Sequence, residues 1–162
     1  MNKELENIIW LTDTEFKGKS FNGYSLISTL EQINAEEAAS TDSYEKYSVW
    51  GIVLHVMFCK YLLAKHLGAD TENLYPYNED YWPDLPASKT EESWQETIEN
   101  LKRVHEAYVN ALKKNPIEKW SEEFPEWKIP WSKIIYWFPT HYTFHAAQIR
   151  NMGIKKYKQA KF

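Results

Sequence analysis

His141 and His145 stand four positions apart in Thr140-His141-Tyr142-Thr143-Phe144-His145. On a helix that spacing puts both imidazoles on one face, about 5–6 Å apart at Cβ. Two imidazoles so placed can share one divalent ion, and a third would complete a facial set with coordination positions left open for chemistry. His55, in an earlier apolar segment, is the candidate third ligand. The competing reading is a group of hydrogen-bonded core histidines, since an imidazole on an apolar face must be paired or coordinated to avoid about 1–3 kcal/mol of desolvation cost.

Whether the three can meet depends on the helices that carry them. A poorly patterned lead-in ends near Phe21-Asn22-Gly23, and Leu26, Leu30 and Ile33 then predict a first helix from Tyr24 to Asn34, with Glu36 to Ala39 as a separate short turn. Ser48 can cap a second helix in which Ile52, His55, Cys59, Leu62 and His66 form the inward seam before Gly68 ends it. Pro76, Pro83 and Pro86 make the segment Asp70 to Ala87 a loop, and Ser88 with Glu91 reads as a capping box. A third helix, Thr90 to Asn115, turns Trp94, Ile98, Leu101, His105, Tyr108 and Leu112 to one side, and Pro116 stops it. After a connection with Pro125 and Pro130, the fourth helix has the seam Ile134, Phe138, His141, His145, Gln148 and Met152. Pro139 either kinks this helix or marks its start. No stretch alternates as a strand would.

Four amphipathic helices bury their stripes only against each other, so the expectation is an all-α, four-helix bundle filling one domain over residues 1–162, with all three histidines facing its interior. The chain has 162 residues, 43% hydrophobic and 26% charged, with 8 Trp and 11 Tyr to supply large core or pocket surfaces. A net charge of -4 argues against a nucleic-acid partner. The basic run Arg150, Lys155, Lys156, Lys158 and Lys161 reads as a solvated tail. One cysteine excludes an internal disulfide, and Ile8 to Leu11 is too short for a signal core or a membrane span, so a cytoplasmic protein with no membrane partner is expected.

The remaining titratable candidates rank lower. His105 reads as a structural or pocket-lining histidine, and His66 as a residue facing the dipole at the end of its helix. Cys59, one turn after His55, can be a fourth ligand, although a lone buried cysteine more often acts as a small hydrophobe.

Ser48-Val49-Trp50-Gly51-Ile52-Val53-Leu54-His55 and Thr140-His141-Tyr142-Thr143-Phe144-His145-Ala146-Ala147-Gln148-Ile149 resemble, in order and separation, the two signature segments of the DinB/YfiT-like superfamily. Gly23 to Ala38 resembles that family's opening helix, so the likeness runs from about Asn22 to Gly153. The resemblance implies a four-helix bundle with a metal held by His55, His141 and His145, and it makes Gln148 an orienting residue behind the last histidine. It also implies metal-dependent transfer of low-molecular-weight thiols such as bacillithiol or mycothiol, isomerisation or hydrolysis, stress-associated roles, and frequent homodimers. Physically, three neutral imidazoles suit zinc or nickel with open positions, which can hold a thiolate or acidify a water. The expectation is therefore a metal-dependent S-transferase or hydrolase acting on a small molecule. Transfer ranks first because no seam carboxylate is placed as a general base. The alternative is a non-catalytic stress-associated bundle that binds metal or a small ligand.

Overall fold

Residues 2–157 are described by the computed structural model, and six α-helices make up most of them. The lead-in is itself a helix, α1 (Lys3–Lys17), capped by the Asn2 side chain accepting the Glu4 N–H at 2.8 Å. Its buried positions include Leu5, Ile8, Thr12 and Phe16, a spacing of three and four that the polar residues Asp13, Thr14 and Glu15 mask in the sequence. Glu15 is buried, yet its carboxylate accepts from Ser20 and from Thr143, at 2.9 and 2.6 Å.

The predicted first helix is shorter than Tyr24 to Asn34. It spans α2 (Leu26–Leu30) and breaks, and α3 (Ala35–Ala39) restarts because Asn34 and Glu37 form a reciprocal capping box. The second predicted helix is α4 (Val49–His66), capped by Ser48 and closed by Gly68 at φ +83°. Its burial is not confined to one seam. Residues from Val49 to Ala64 are covered almost all round, so α4 runs through the middle of the molecule.

The third predicted helix is α5 (Glu91–Lys114), whose cap is Thr90 rather than Ser88. Glu91 instead accepts the Ala35 N–H at 2.8 Å, tying α5 to the first turn of α3. A 3-10 turn at Ile117–Ser121 and a minimal antiparallel hairpin follow, β1 (Glu123–Phe124) with β2 (Ile129–Pro130). Two residues per strand are too few to show alternation. The fourth predicted helix, α6 (Trp131–Asn151), continues through Pro139, so Pro139 is not a helix start.

One apolar cluster draws on all six helices, with Trp50, Trp94, Tyr108 and Phe138 fully buried. The indoles are paired: Trp50 donates to Thr97 at 3.1 Å and Trp94 to the Ile33 carbonyl at 2.8 Å, joining α4 to α5 and α5 to the chain before α3. The loop Asp70 to Ala87 is irregular, as expected, but pinned. Tyr61 donates to Glu79 at 2.8 Å, Lys65 pairs with the same carboxylate at 3.0 Å, and Tyr77 shares a hydrogen bond with Thr97. The expected solvated tail is in part an anchor: Arg150 donates to the Tyr24 carbonyl and to Thr29, and Lys155 pairs with Glu37 at 3.1 Å. Lys158 and Lys161 lie outside the described residues. Among those residues no helix is long and apolar enough to cross a membrane.

Candidate metal centre

His55 projects from α4 toward α6, where His141 and His145 stand on successive turns. The three Nε2 atoms converge: His141 Nε2 lies 3.3 Å from that of His55 and 3.0 Å from that of His145, and one ligand atom from each ring falls within 4.8 Å of the others. The rings stand 69°, 70° and 84° apart in plane, so their in-plane lone pairs meet from different directions. A tetrahedral ion with bonds of about 2.0–2.1 Å separates its ligand nitrogens by roughly 3.3 Å, close to the spacing seen.

The outer ring nitrogens determine which protons are present. His55 Nδ1 lies 2.7 Å from the Tyr81 carbonyl, which can only accept, so the proton sits on Nδ1 and Nε2 is bare. His145 Nδ1 lies 2.7 Å from Gln148 Oε1. The amide orientation follows from the next partner, because Gln148 Nε2 donates to the Glu45 carboxylate. His145 therefore also carries its proton outside, and its Nε2 points inward as a lone pair. His141 Nδ1 is buried without a partner. One N–H on His141 cannot pair both facing lone pairs linearly, so the centre is short of positive charge or donors. The three histidines lie close enough together to hold a metal ion, and three neutral imidazoles are a donor set that would suit zinc or nickel.

Burial keeps the rings neutral. It pushes His141 down to about 2, helped by His145 and His55 beside it, and His145 to about 4 against the opposing effect of Gln148. His55 is lowered by the same cause and partly restored by the Tyr81 carbonyl. His141 and His145 are 8% and 5% exposed, whereas His55 is only partly covered.

Gln148 occupies the orienting position expected of it. Cys59 Sγ is 3.9 Å from His55 Nε2 but is not within reach of all three histidines, and burial pushes its thiol up to about 12. That suits the small-hydrophobe reading better than the ligand reading. His66 is the last residue of α4, the helix-end position expected of it, where it pairs with Glu126 at 3.2 Å and stands perpendicular to the Phe124 ring.

His105 is structural, and its partners were not legible in advance. Its Nε2 lies 2.7 Å from Asp13 on α1 and its Nδ1 2.9 Å from Nζ of the fully buried Lys60 on α4. Phe16 stacks on the imidazole at 3.7 Å, and Lys60 Nζ sits 3.5 Å over the Phe16 ring and 4.1 Å over Tyr142. His105 and Asp13 also line a cleft of about 220 Å³ between α1 and α5. A lysine inside the apolar run Val53 to Ala64 was the available signal. The Tyr81 carbonyl and Glu45 carried none, because a loop's approach to a distant helix leaves no local pattern. No protein-family model, no curated protein and no solved structure matches the chain.

Proposed function

We propose that the chain is a metal-dependent enzyme of DinB/YfiT type, with α1, α4, α5 and α6 as its four-helix bundle and a small molecule as its substrate. The observation that carries this reading is the convergence of three Nε2 atoms, with the outer protons of His55 and His145 held away by Tyr81 and by the pair Gln148 and Glu45. A divalent ion held there supplies Lewis-acid chemistry, lowering the pKa of a thiol or a water in its open positions. The protein's own part is orientation. Tyr81 and Gln148 lock two ring tautomers, α6 sets the i,i+4 pair, and the helices around the centre keep His141 and His145 nearly dry.

Thiol transfer is favoured over hydrolysis because no described carboxylate belongs to the cluster, and Glu45 is engaged with Gln148. In that transfer the thiol proton leaves to solvent, sulfur bonds to an electrophilic carbon, and the leaving group departs with its bonding pair. A purely structural metal would call for a closed set of four ligands, whereas three gather here among the described residues, and one of them is only partly buried.

Elemental analysis of untagged protein purified without chelator, beside the double variant His141→Ala, His145→Ala, tests the reading. Zinc or nickel near one ion per chain, lost in the variant, is the expected result. A protein that is metal-free and cannot be reloaded overturns it.

A further inference from the structure

The three histidines are not held alike. His141 and His145 share α6, are buried, and take their separation from the helix itself. Their aromatic neighbours Trp137, Phe138 and Phe144 come from the same helix. His55 comes alone from α4 and is only partly covered. Its backbone sets where the ring begins but not how the plane is turned, because the torsion that rotates an imidazole about its Cβ–Cγ bond has broad wells. The direction of Nε2 follows that plane, so whatever fixes it decides whether three nitrogens converge or only two.

Two consecutive residues of the loop before α5 meet His55 in complementary ways. The Tyr81 carbonyl lies 2.7 Å from Nδ1, at the ring's edge, and the Trp82 side chain lies against its face, with ring centres 4.4 Å apart and planes 12° apart. A carbonyl oxygen accepts over a broad range of directions, so the hydrogen bond sets the tautomer but lets the ring rock. The indole removes that freedom, since an imidazole turned out of parallel at this separation drives its edge into the indole face.

Trp82 is itself held. Asp80 accepts the Trp82 backbone N–H at 2.8 Å, and Asn78 accepts the Asp84 N–H at 3.0 Å, so the segment 78–84 is tied to itself. It is tied to the fold as well: Tyr61 and Lys65, beyond His55 on α4, hold Glu79 at 2.8 and 3.0 Å, and Trp127 donates to the Tyr81 hydroxyl at 2.7 Å. Tyr47 stacks on Trp82 at 5.3 Å with planes 15° apart. Yet Trp82 is 48% exposed and stands outside the apolar core, so packing of the helices does not explain a tryptophan at this position. We infer that Trp82 is a positioning residue of the metal centre: it holds the plane of the His55 ring so that Nε2 faces His141 and His145. The inference rests on the metal-enzyme reading for its purpose, while the hold on the ring exists without metal and is measured without it.

Two measurements on the full-length chain test it. In metal-free protein, the nuclear Overhauser contacts between the His55 ring protons and those of His141 and His145, whose ring centres stand 5.3 and 5.2 Å away, are expected to fade in Trp82→Ala. They are expected to persist in Trp82→Phe, which keeps a face for stacking. Zinc affinity, measured by competition with a chromophoric chelator, is expected to fall about tenfold in Trp82→Ala and to stay within about threefold of wild type in Trp82→Phe. Trp10→Ala, which removes a 55%-exposed tryptophan beside Phe21, leaves both measurements unchanged. Ring contacts that survive in Trp82→Ala, unaltered affinity in a chain that binds zinc, or equal losses in the alanine and phenylalanine variants overturn the inference. A wild type that binds no zinc while its ring contacts depend on Trp82 loses the metal-enzyme reading and keeps the hold on His55; one that binds zinc with no dependence on Trp82 does the reverse.

Discussion

Lys60 and His55 lie about one and a half turns apart on α4, and each helps build a buried polar cluster around histidine. The two clusters satisfy their nitrogens in opposite ways. At Asp13, His105 and Lys60 every group has a complement: the carboxylate accepts from Nε2, Nδ1 accepts from the amine, and aromatic faces cover the rest. At His55, His141 and His145 the outer bonds are made and the inner nitrogens face one another. A closed polar cluster cements helices together, whereas one whose inner nitrogens face one another with fewer donors than acceptors is close enough to hold a metal ion.

The comparison breaks most visibly on truncation. His105→Ala leaves the Lys60 nitrogen without its partner in the core, together with a cavity, and is expected to cost about 3–4 kcal/mol in urea unfolding. His141→Ala in metal-free protein removes a ring but also the crowding of lone pairs, with an expected cost of about 1–2 kcal/mol. Equal losses would erase the distinction between the two clusters.

Acid tests both clusters with the same sign. Burial holds His105 at about 3, with the Lys60 charge adding to it and Asp13 opposing, while His141 and His145 stand at about 2 and about 4 in the metal-free chain. Each stays neutral in the fold while the unfolded chain protonates near 6.5, so the unfolded state binds more protons as pH falls. Stability is therefore full above 6.5 and declines below it, approaching a slope of about 1.4 kcal/mol per pH unit per histidine until the folded value is reached. Unfolding curves at pH 7, 6 and 5 measure this. Saturating zinc should offset the decline for wild type but not for the His141→Ala, His145→Ala variant.

The smallest expected effect sharpens the role of the outer bonds. Gln148→Leu removes the acceptor for His145 Nδ1 and should weaken zinc binding by about tenfold with little change in metal-free stability. Unaltered zinc affinity, measured by competition with a chromophoric chelator, would reduce Gln148 to a surface contact of Glu45.

Much of this was legible in one dimension. The i,i+4 spacing of His141 and His145, the seam position of His55 and the spans of α4 and α5 follow from local periodicity and capping, which act over a few residues, whereas periodicity left open whether α6 runs through Pro139. α1 was hidden because its buried positions include the polar residues Thr12, Thr14 and Glu15, the last held by Thr143 from 128 residues away. Ser88 looked like a cap because Glu91 follows it at the right distance, yet Glu91 is engaged by Ala35, a residue 56 positions away.

By itself the sequence determined the ligand types, their register on two helices, and the apolar stripes that turn them inward, since each depends on the 3.6-residue repeat alone. Tertiary structure decided which nitrogen of each ring is free, because that depends on a loop carbonyl at Tyr81 and on the reach of Glu45 across 103 residues to Gln148. It also decided that Lys60 is buried and paired and that Trp82 stacks on His55 and Trp137 lies against His141. Hydrogen bonds and stacking act over a few ångströms in space, and nothing in a local pattern records which distant segments the packed core will bring within that range.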